Sequence, residues 1–95
     1  MSGKKLSPEE LIEKLSEVNS WEREEEKIHK RFNFKNFAES LDFINKIGAI
    51  AEKHDHHPDI TFGWGYAEIY STTHDAGGLT NRDFKLAKEI DELSD

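Results

Sequence analysis

The same helix-start signature occurs three times in this chain of 95 residues: Ser7 with Glu10, Asn36 with Glu39, and Thr80 with Asp83. In each, a small polar side chain that can accept from a free backbone N–H stands three positions before an acidic one that can reach back to the cap. An apolar period follows each time, so three helices begin near residues 8, 37 and 81. The two intervals between them have room for little more than a pair of short strands each.

The interval patterns agree. After the first period (Leu11, Ile12, Leu15, Val18), which predicts a helix ending near Asn19 or Ser20, the apolar spacing changes. Ile28, Lys30, Phe32 and Phe34 then alternate with His29, Arg31 and Asn33, as one strand of a hairpin does. Its turn falls near Glu25 and Glu26 without the usual Gly or Asn. In the second helix Phe37, Leu41, Ile44, Gly48 and Ala51 form one stripe and Phe43, Ile47 and Ile50 an adjoining one, until Pro58 forces an exit near His54 to His57. Ile60 to Trp64 and Ala67 to Thr73 form a second hairpin around Gly65, and Gly77-Gly78 separates it from the last helix. The expected fold is α+β, in the order α-β-β-α-β-β-α. A four-stranded antiparallel sheet carries three helices on one face, as a single domain over 1–95 with a flexible N-terminus over 1–5. The opposite face is left to solvent or to another subunit.

Such a small domain needs large side chains, and six Phe, two Trp and two Tyr provide them. The formal charge of −7 repels a phosphate backbone and no basic patch offsets it, so no direct nucleic-acid contact is expected. With no Cys there is neither a disulfide nor a thiolate nucleophile or ligand, as suits a reducing, cytoplasmic compartment. No apolar run is long enough for a bilayer.

Three of the five His crowd into Glu52-Lys53-His54-Asp55-His56-His57-Pro58-Asp59, and His74 ends the last strand ahead of Asp75 and the Gly pair. Four readings compete for this cluster. It is a solvated helix terminus, where imidazoles favour the negative end of the dipole. It is a metal site with His54, His56, His57 and His74 giving nitrogen and Asp55 or Asp59 oxygen, although the spacing matches no zinc signature. It is a nucleophilic centre, against which stand the missing Cys and the lack of a Ser in a nucleophile elbow. Or it is a metal-free acid–base site, since imidazole both gives and takes protons near neutrality.

The run Ala51-Glu52-Lys53-His54-Asp55-His56-His57-Pro58, then Trp64, His74 and Asp83 at fixed intervals, resembles the signature of the pterin-4a-carbinolamine dehydratases. Trp21, the Ile28-x-Lys30-x-Phe32-x-Phe34 alternation, Phe37 and the segment Thr73 to Asp83 extend the resemblance over almost everything after Leu6. It implies a dehydratase that removes water from a 4a-hydroxytetrahydropterin, giving quinonoid dihydropterin in tetrahydrobiopterin recycling, with no metal or other cofactor. By position it implies His56, His57 and His74 as the catalytic set, with His57 and His74 the main acid–base pair and His56 a substrate contact. Pro58, Thr73, Asp75 and Ala76 fall on substrate-contacting stretches. Glu52, Asp55 and Trp21 fall on positions that line or border the pocket, and Asp83 on one that orients a His. Trp21 also reads as a core aromatic, Trp64 as a strand aromatic, and Asp83 as the third residue of a capping box.

The resemblance further implies a homodimer or homotetramer. A second role follows from relatives that act as dimerisation cofactors of a homeodomain transcription factor, and a metal-dependent hydrolase is the remote alternative. The chain departs from the usual pattern at His54, Phe62, Gly65 and Ser71, where the family carries a leucine-like residue, two Asn and an aliphatic side chain. His54, seven residues after Ile47, reads as structural.

Overall fold

Alternation along the strands decides which way the sheet faces. In the computed structural model, which describes residues 4–93, the elements are α1 (Pro8–Leu15), β1 (Glu22–Glu24), β2 (Lys27–Asn33), α2 (Phe37–His54), β3 (Asp59–Gly63), β4 (Tyr66–Ser71), a 3-10 turn (His74–Ala76) and α3 (Asn81–Leu93). The strands form one antiparallel sheet in the order β1-β2-β4-β3. Ile28 and Phe32 of β2, Ala67, Ile69 and Ser71 of β4, and the half-buried Ile60 and Phe62 of β3 point to the helices. His29, Arg31, Glu68 and Tyr70 take the other face, where His29 stacks on Tyr70 and Arg31 covers Tyr66. The expected α+β fold and element order are those observed.

All three helix starts are capped, although at α2 the Glu39 carboxylate accepts from Lys35 N–H, one residue before the cap. At α1 both arms of the box close, Glu10 N–H donating to Ser7 Oγ at 3.2 Å and Ser7 N–H to Glu10 Oε1 at 2.9 Å. At α2, Glu39 N–H donates to Asn36 Oδ1 at 2.9 Å.

Three expectations are corrected. α1 stops at Leu15, four residues short of Asn19. Ser16 bonds back to the Glu13 carbonyl at 2.6 Å, a competing local bond that serine favours, and the chain turns at Ser20 with φ 63°. The early stop lets Asn19 N–H and Trp21 Nε1 both reach the Asp91 carboxylate, at 3.0 Å each. On α2, the face in the core is Ser40, Phe43, Ile47 and Ala51, while Phe37 and Leu41 of the first-named stripe stay half-exposed. The apolar arc of this helix is wider than the sheet can cover. Trp64, expected to pack as a strand aromatic, sits in the β3–β4 turn and is 71% exposed.

The hairpin without Gly is held by two side chains, one of its own first strand and one from beyond β4. Glu25 adopts φ 55°, costly for a side chain with a Cβ. Arg23 Nε donates to its carbonyl at 2.8 Å, and Thr72 Oγ1 donates to the Glu26 carbonyl at 2.5 Å. Of the expected mobile stretch 1–5, residues 1–3 lie outside the described residues; Lys5 pairs with Glu26 at 2.8 Å, and Leu6 N–H donates to the Leu79 carbonyl at 2.9 Å. Among the described residues no helix is long and apolar enough to cross a membrane.

On the inner sheet face one cation is enclosed. Lys30 Nζ lies 2.8 Å from Asp91 Oδ1, the oxygen that Trp21 Nε1 also holds, and 4.7 Å from the Phe32 ring centroid. Asp91→Ala would leave this ammonium without its counter-charge and is expected to cost about 3–5 kcal/mol. Urea unfolding of the two proteins checks it, a loss under 1 kcal/mol counting against the enclosed pair.

Candidate functional site

Helix α2 ends in a left-handed residue, and that turn sorts the histidines. Asp55 takes φ 50°, His56 N–H donates back to the Ala51 carbonyl at 3.1 Å, and Pro58 forbids further helix. The reversal sends His56 inward, 6% exposed, and leaves His57 on the surface. His57 Nε2 lies 2.5 Å from Glu52 Oε2, one turn back on the helix. His54, before the turn, lies 3.1 Å from Glu89 of α3 and takes no part in the site. The Glu89 carboxyl is held below its usual value chiefly by that imidazole.

His74 arrives from the other end of the chain. Thr73 and Gly78 bridge each other, N–H to carbonyl at 3.2 and 3.3 Å, and clasp the 3-10 turn between them. Gly77 at φ 76° closes it, a conformation glycine adopts without a Cβ penalty. Asp55, His56, His57, Thr72, His74, Asp75 and Arg82 then line one cavity of about 330 Å³, at the small end of the range for small-molecule sites. A larger cleft of about 480 Å³ lies at the opposite end of α2 beside Phe34, Phe43 and Leu93. It holds no histidine, and its polar rim is occupied by the Asn36 cap and the Asp42–Lys46 ion pair.

Asp83 stands behind the cavity wall that His56 forms. It is fully buried, and both oxygens accept twice. Oδ1 lies 2.7 Å from His56 Nε2 and 2.6 Å from Ser71 Oγ; Oδ2 lies 2.8 Å from Thr73 Oγ1 and 3.0 Å from Thr80 N. The last bond is the returning arm of the third capping box, so the two readings of Asp83, helix cap and His partner, are both realised. The direction of the hydroxyl chain follows. Arg82 N–H donates to Thr80 Oγ1, Thr80 O–H to Thr73 Oγ1, and Thr73 O–H to Asp83. Burial pushes the Asp83 carboxyl up, but the donors His56, Ser71, Thr80 N–H and Thr73 outweigh it and hold it below its ordinary value. A carboxylate can only accept, so His56 carries a proton on Nε2 and its free ring nitrogen is Nδ1.

The predicted residues therefore divide. His56, His57, His74, Asp55 and Asp75 meet at the cavity; Thr73 and Asp83 stand behind it, Glu52 reaches it through His57, and Pro58 and Ala76 belong to its two loops. Trp21 is elsewhere. It is 6% exposed, edge-on to Phe32 and bonded to Asp91, so the core reading of that residue prevails. Sequence reasoning missed Thr72, Arg82 and Ser71. Arg82, whose Nη2 donates to the Asp55 carbonyl at 2.6 Å, lies between the cap residues Thr80 and Asp83, and that position was its one available signal. Among the described residues, no three His, Asp or Glu side chains converge as a metal site would require.

The depressed Asp83 carboxyl contributes stability that is present above its unfolded value and lost as pH falls through the lower folded value. Asp83→Asn is expected to lower unfolding stability at pH 7 by about 3 kcal/mol or more. The gap to wild type should narrow below about pH 4. Denaturant unfolding across pH 2–7 checks both; a gap that does not change with pH would count against an ionised Asp83.

The sequence profile described as pterin 4 alpha carbinolamine dehydratase matches residues 4–93. A protein of Picosynechococcus named "Putative pterin-4-alpha-carbinolamine dehydratase" is 46% identical over 89 residues, 94% of this chain and 97% of its own. One of the same name from Sulfolobus acidocaldarius is 42% identical over 89 residues, 94% of this chain and 98% of its own. Among solved structures, the transcriptional coactivator/pterin dehydratase from Brucella melitensis is similar with a TM-score of 0.92 at 28% identity, over 97% of this chain and 100% of that one. A pterin dehydratase-like protein identified as a RuBisCO assembly factor in the alpha-carboxysome gives 0.64 at 25% identity, over 78% and 86%.

Proposed function

The chain belongs to the pterin 4 alpha carbinolamine dehydratase family, and on that premise we propose that it eliminates water from a 4a-hydroxytetrahydropterin to give the quinonoid dihydropterin, its own imidazoles moving the protons. The observation that carries this reading is the convergence of His56, His57 and His74, from two segments far apart in the chain, on one small cavity.

In the elimination the C4a–O bond breaks and the hydroxyl leaves as water with a proton from an acid. The N5 proton passes to a base as the C4a–N5 double bond forms. Both transfers lie within the reach of imidazoles near neutral pH. His57 and His74, at the open side of the cavity, are the proton-transfer pair, with Glu52 orienting His57. His56, locked through Nε2 on Asp83, presents Nδ1 to the substrate. Asp55, Pro58, Thr73, Asp75 and Ala76 shape the walls that hold the bicyclic ring. The reaction needs no metal and no other cofactor.

The active form is a homo-oligomer, dimer or tetramer. Support comes from Phe37 and Leu41, half-exposed on α2, and from Trp64 beside β3, which is an edge of the sheet. The same apolar surface favours a second reading, a dimerisation module for another protein, and the Brucella melitensis relative is titled a transcriptional coactivator as well as a dehydratase.

Freshly generated 4a-hydroxytetrahydropterin should disappear faster with the protein than without it, and a chelator should not slow the loss. His57→Ala or His74→Ala should reduce the rate by ~10² or more. Wild type no faster than the spontaneous reaction would reject the enzyme and leave the binding module, and chelator sensitivity would point to the metal hydrolase. Light scattering after size exclusion should give a dimer or tetramer for wild type and a smaller species for Leu41→Glu combined with Trp64→Lys; a monomeric wild type would reject the oligomer.

A further inference from the structure

Ser71 is a buried hydroxyl at a strand position where the family resemblance calls for an aliphatic side chain. It is 2% exposed on the inner face of β4, opposite Ile28 of β2 and two residues from Ile69. A hydroxyl enclosed among such neighbours is costly unless it is bonded. Its Oγ donates at 2.6 Å to Asp83 Oδ1, the same oxygen that lies 2.7 Å from His56 Nε2.

We propose that Ser71 is a positioning residue for His56: by occupying the second acceptor site of Asp83 Oδ1 it pins that oxygen, and through it the imidazole, in one orientation and one tautomer. The geometry separates Ser71 from its neighbours in the network. Thr73 Oγ1 and Thr80 N–H bind Oδ2, so they can hold the carboxylate as a whole, but Ser71 is the donor that shares an oxygen with the histidine. Without it Oδ1 is held by the imidazole alone, and the two can tilt together about the fixed Oδ2. Charge acts in the same direction. Besides Asp83, the groups around His56 are Arg82 on α3, His74 and Asp75 on the 3-10 turn, and Asp55 and His57 on its own loop. All of these border the open cavity, which leaves Asp83 as the buried partner that settles where the ring proton sits.

This inference rests on the dehydratase reading for its kinetic arm, but its spectroscopic arm stands alone. In wild type the His56 ring ¹⁵N pattern should show Nε2 protonated, with slow exchange of that proton. In Ser71→Ala that proton should exchange about tenfold faster, as expected when one hydrogen bond to a charged group is lost. In the dehydration assay kcat should fall about three- to tenfold with KM within twofold, the split expected when positioning and not substrate affinity is lost. Ser71→Thr, which keeps the hydroxyl, should restore both. If Ser71→Ala does not fold, Ser71→Cys, a weaker donor of similar volume, should give intermediate values. Wild-type exchange in a folded Ser71→Ala or Ser71→Cys, or failure of Ser71→Thr to restore it, would overturn the proposal. Absent turnover by wild type would reject the dehydratase reading, and the exchange measurement would still decide the role of Ser71.

Discussion

A single buried carboxylate holds together the segments that line the histidine cavity. Asp83 receives a strand hydroxyl from Ser71, a hydroxyl from the turn residue Thr73, the first N–H of a helix cap from Thr80, and the imidazole of His56. A charge with no exposure is tolerable only when its acceptor sites are filled, and here four donors fill them. The end of β4, the start of α3 and the exit from α2 are therefore positioned by the bonds that fix His56. Stability and site geometry are one interaction seen from two sides.

A second carboxylate does comparable work at the other end of α3. Asp91 binds Lys30 of β2, the Trp21 indole and the Asn19 backbone, so the helix is tied near its start to β4 and near its end to β2. Such polar ties fix direction where apolar packing, which is nearly indifferent to small rotations, does not. The apolar layer between them, from Ile28 and Phe32 through Ile47 and Ile69 to Leu86 and Ile90, supplies the burial. Among the described residues, Ile12 of α1, Phe37 and Leu41 of α2 and Trp64 of the β3–β4 turn are the large apolar side chains left uncovered.

Most of the fold was legible because its signals are local. Capping boxes, the alternation Ile28 to Phe34 and the breaks at Pro58 and Gly65 depend on neighbours within about four residues. Where local signals were absent, reading fell short for a tertiary reason. The Glu26 carbonyl in the hairpin turn is held by Thr72 from beyond β4, and the segment that follows α1 is held by Asp91 of α3. Of the site, the histidines were visible as an unusual local concentration and as a family pattern. Arg82 was not, since nothing sets it apart from its sequence neighbours, and Ser71 showed only as a departure from the family pattern with no role attached.

By itself the sequence determined the number, kind and order of the elements, the three caps, and the residue types able to move protons, because each of these is written in short-range spacing. The tertiary structure alone decided that His56 turns inward while His57 stays at the surface, that Trp21 packs in the core away from the cavity, and that one carboxylate serves both a helix cap and an imidazole. Those outcomes depend on which groups from distant segments meet, and spacing along a chain carries no record of the direction in which a side chain points once the helices have settled on the sheet.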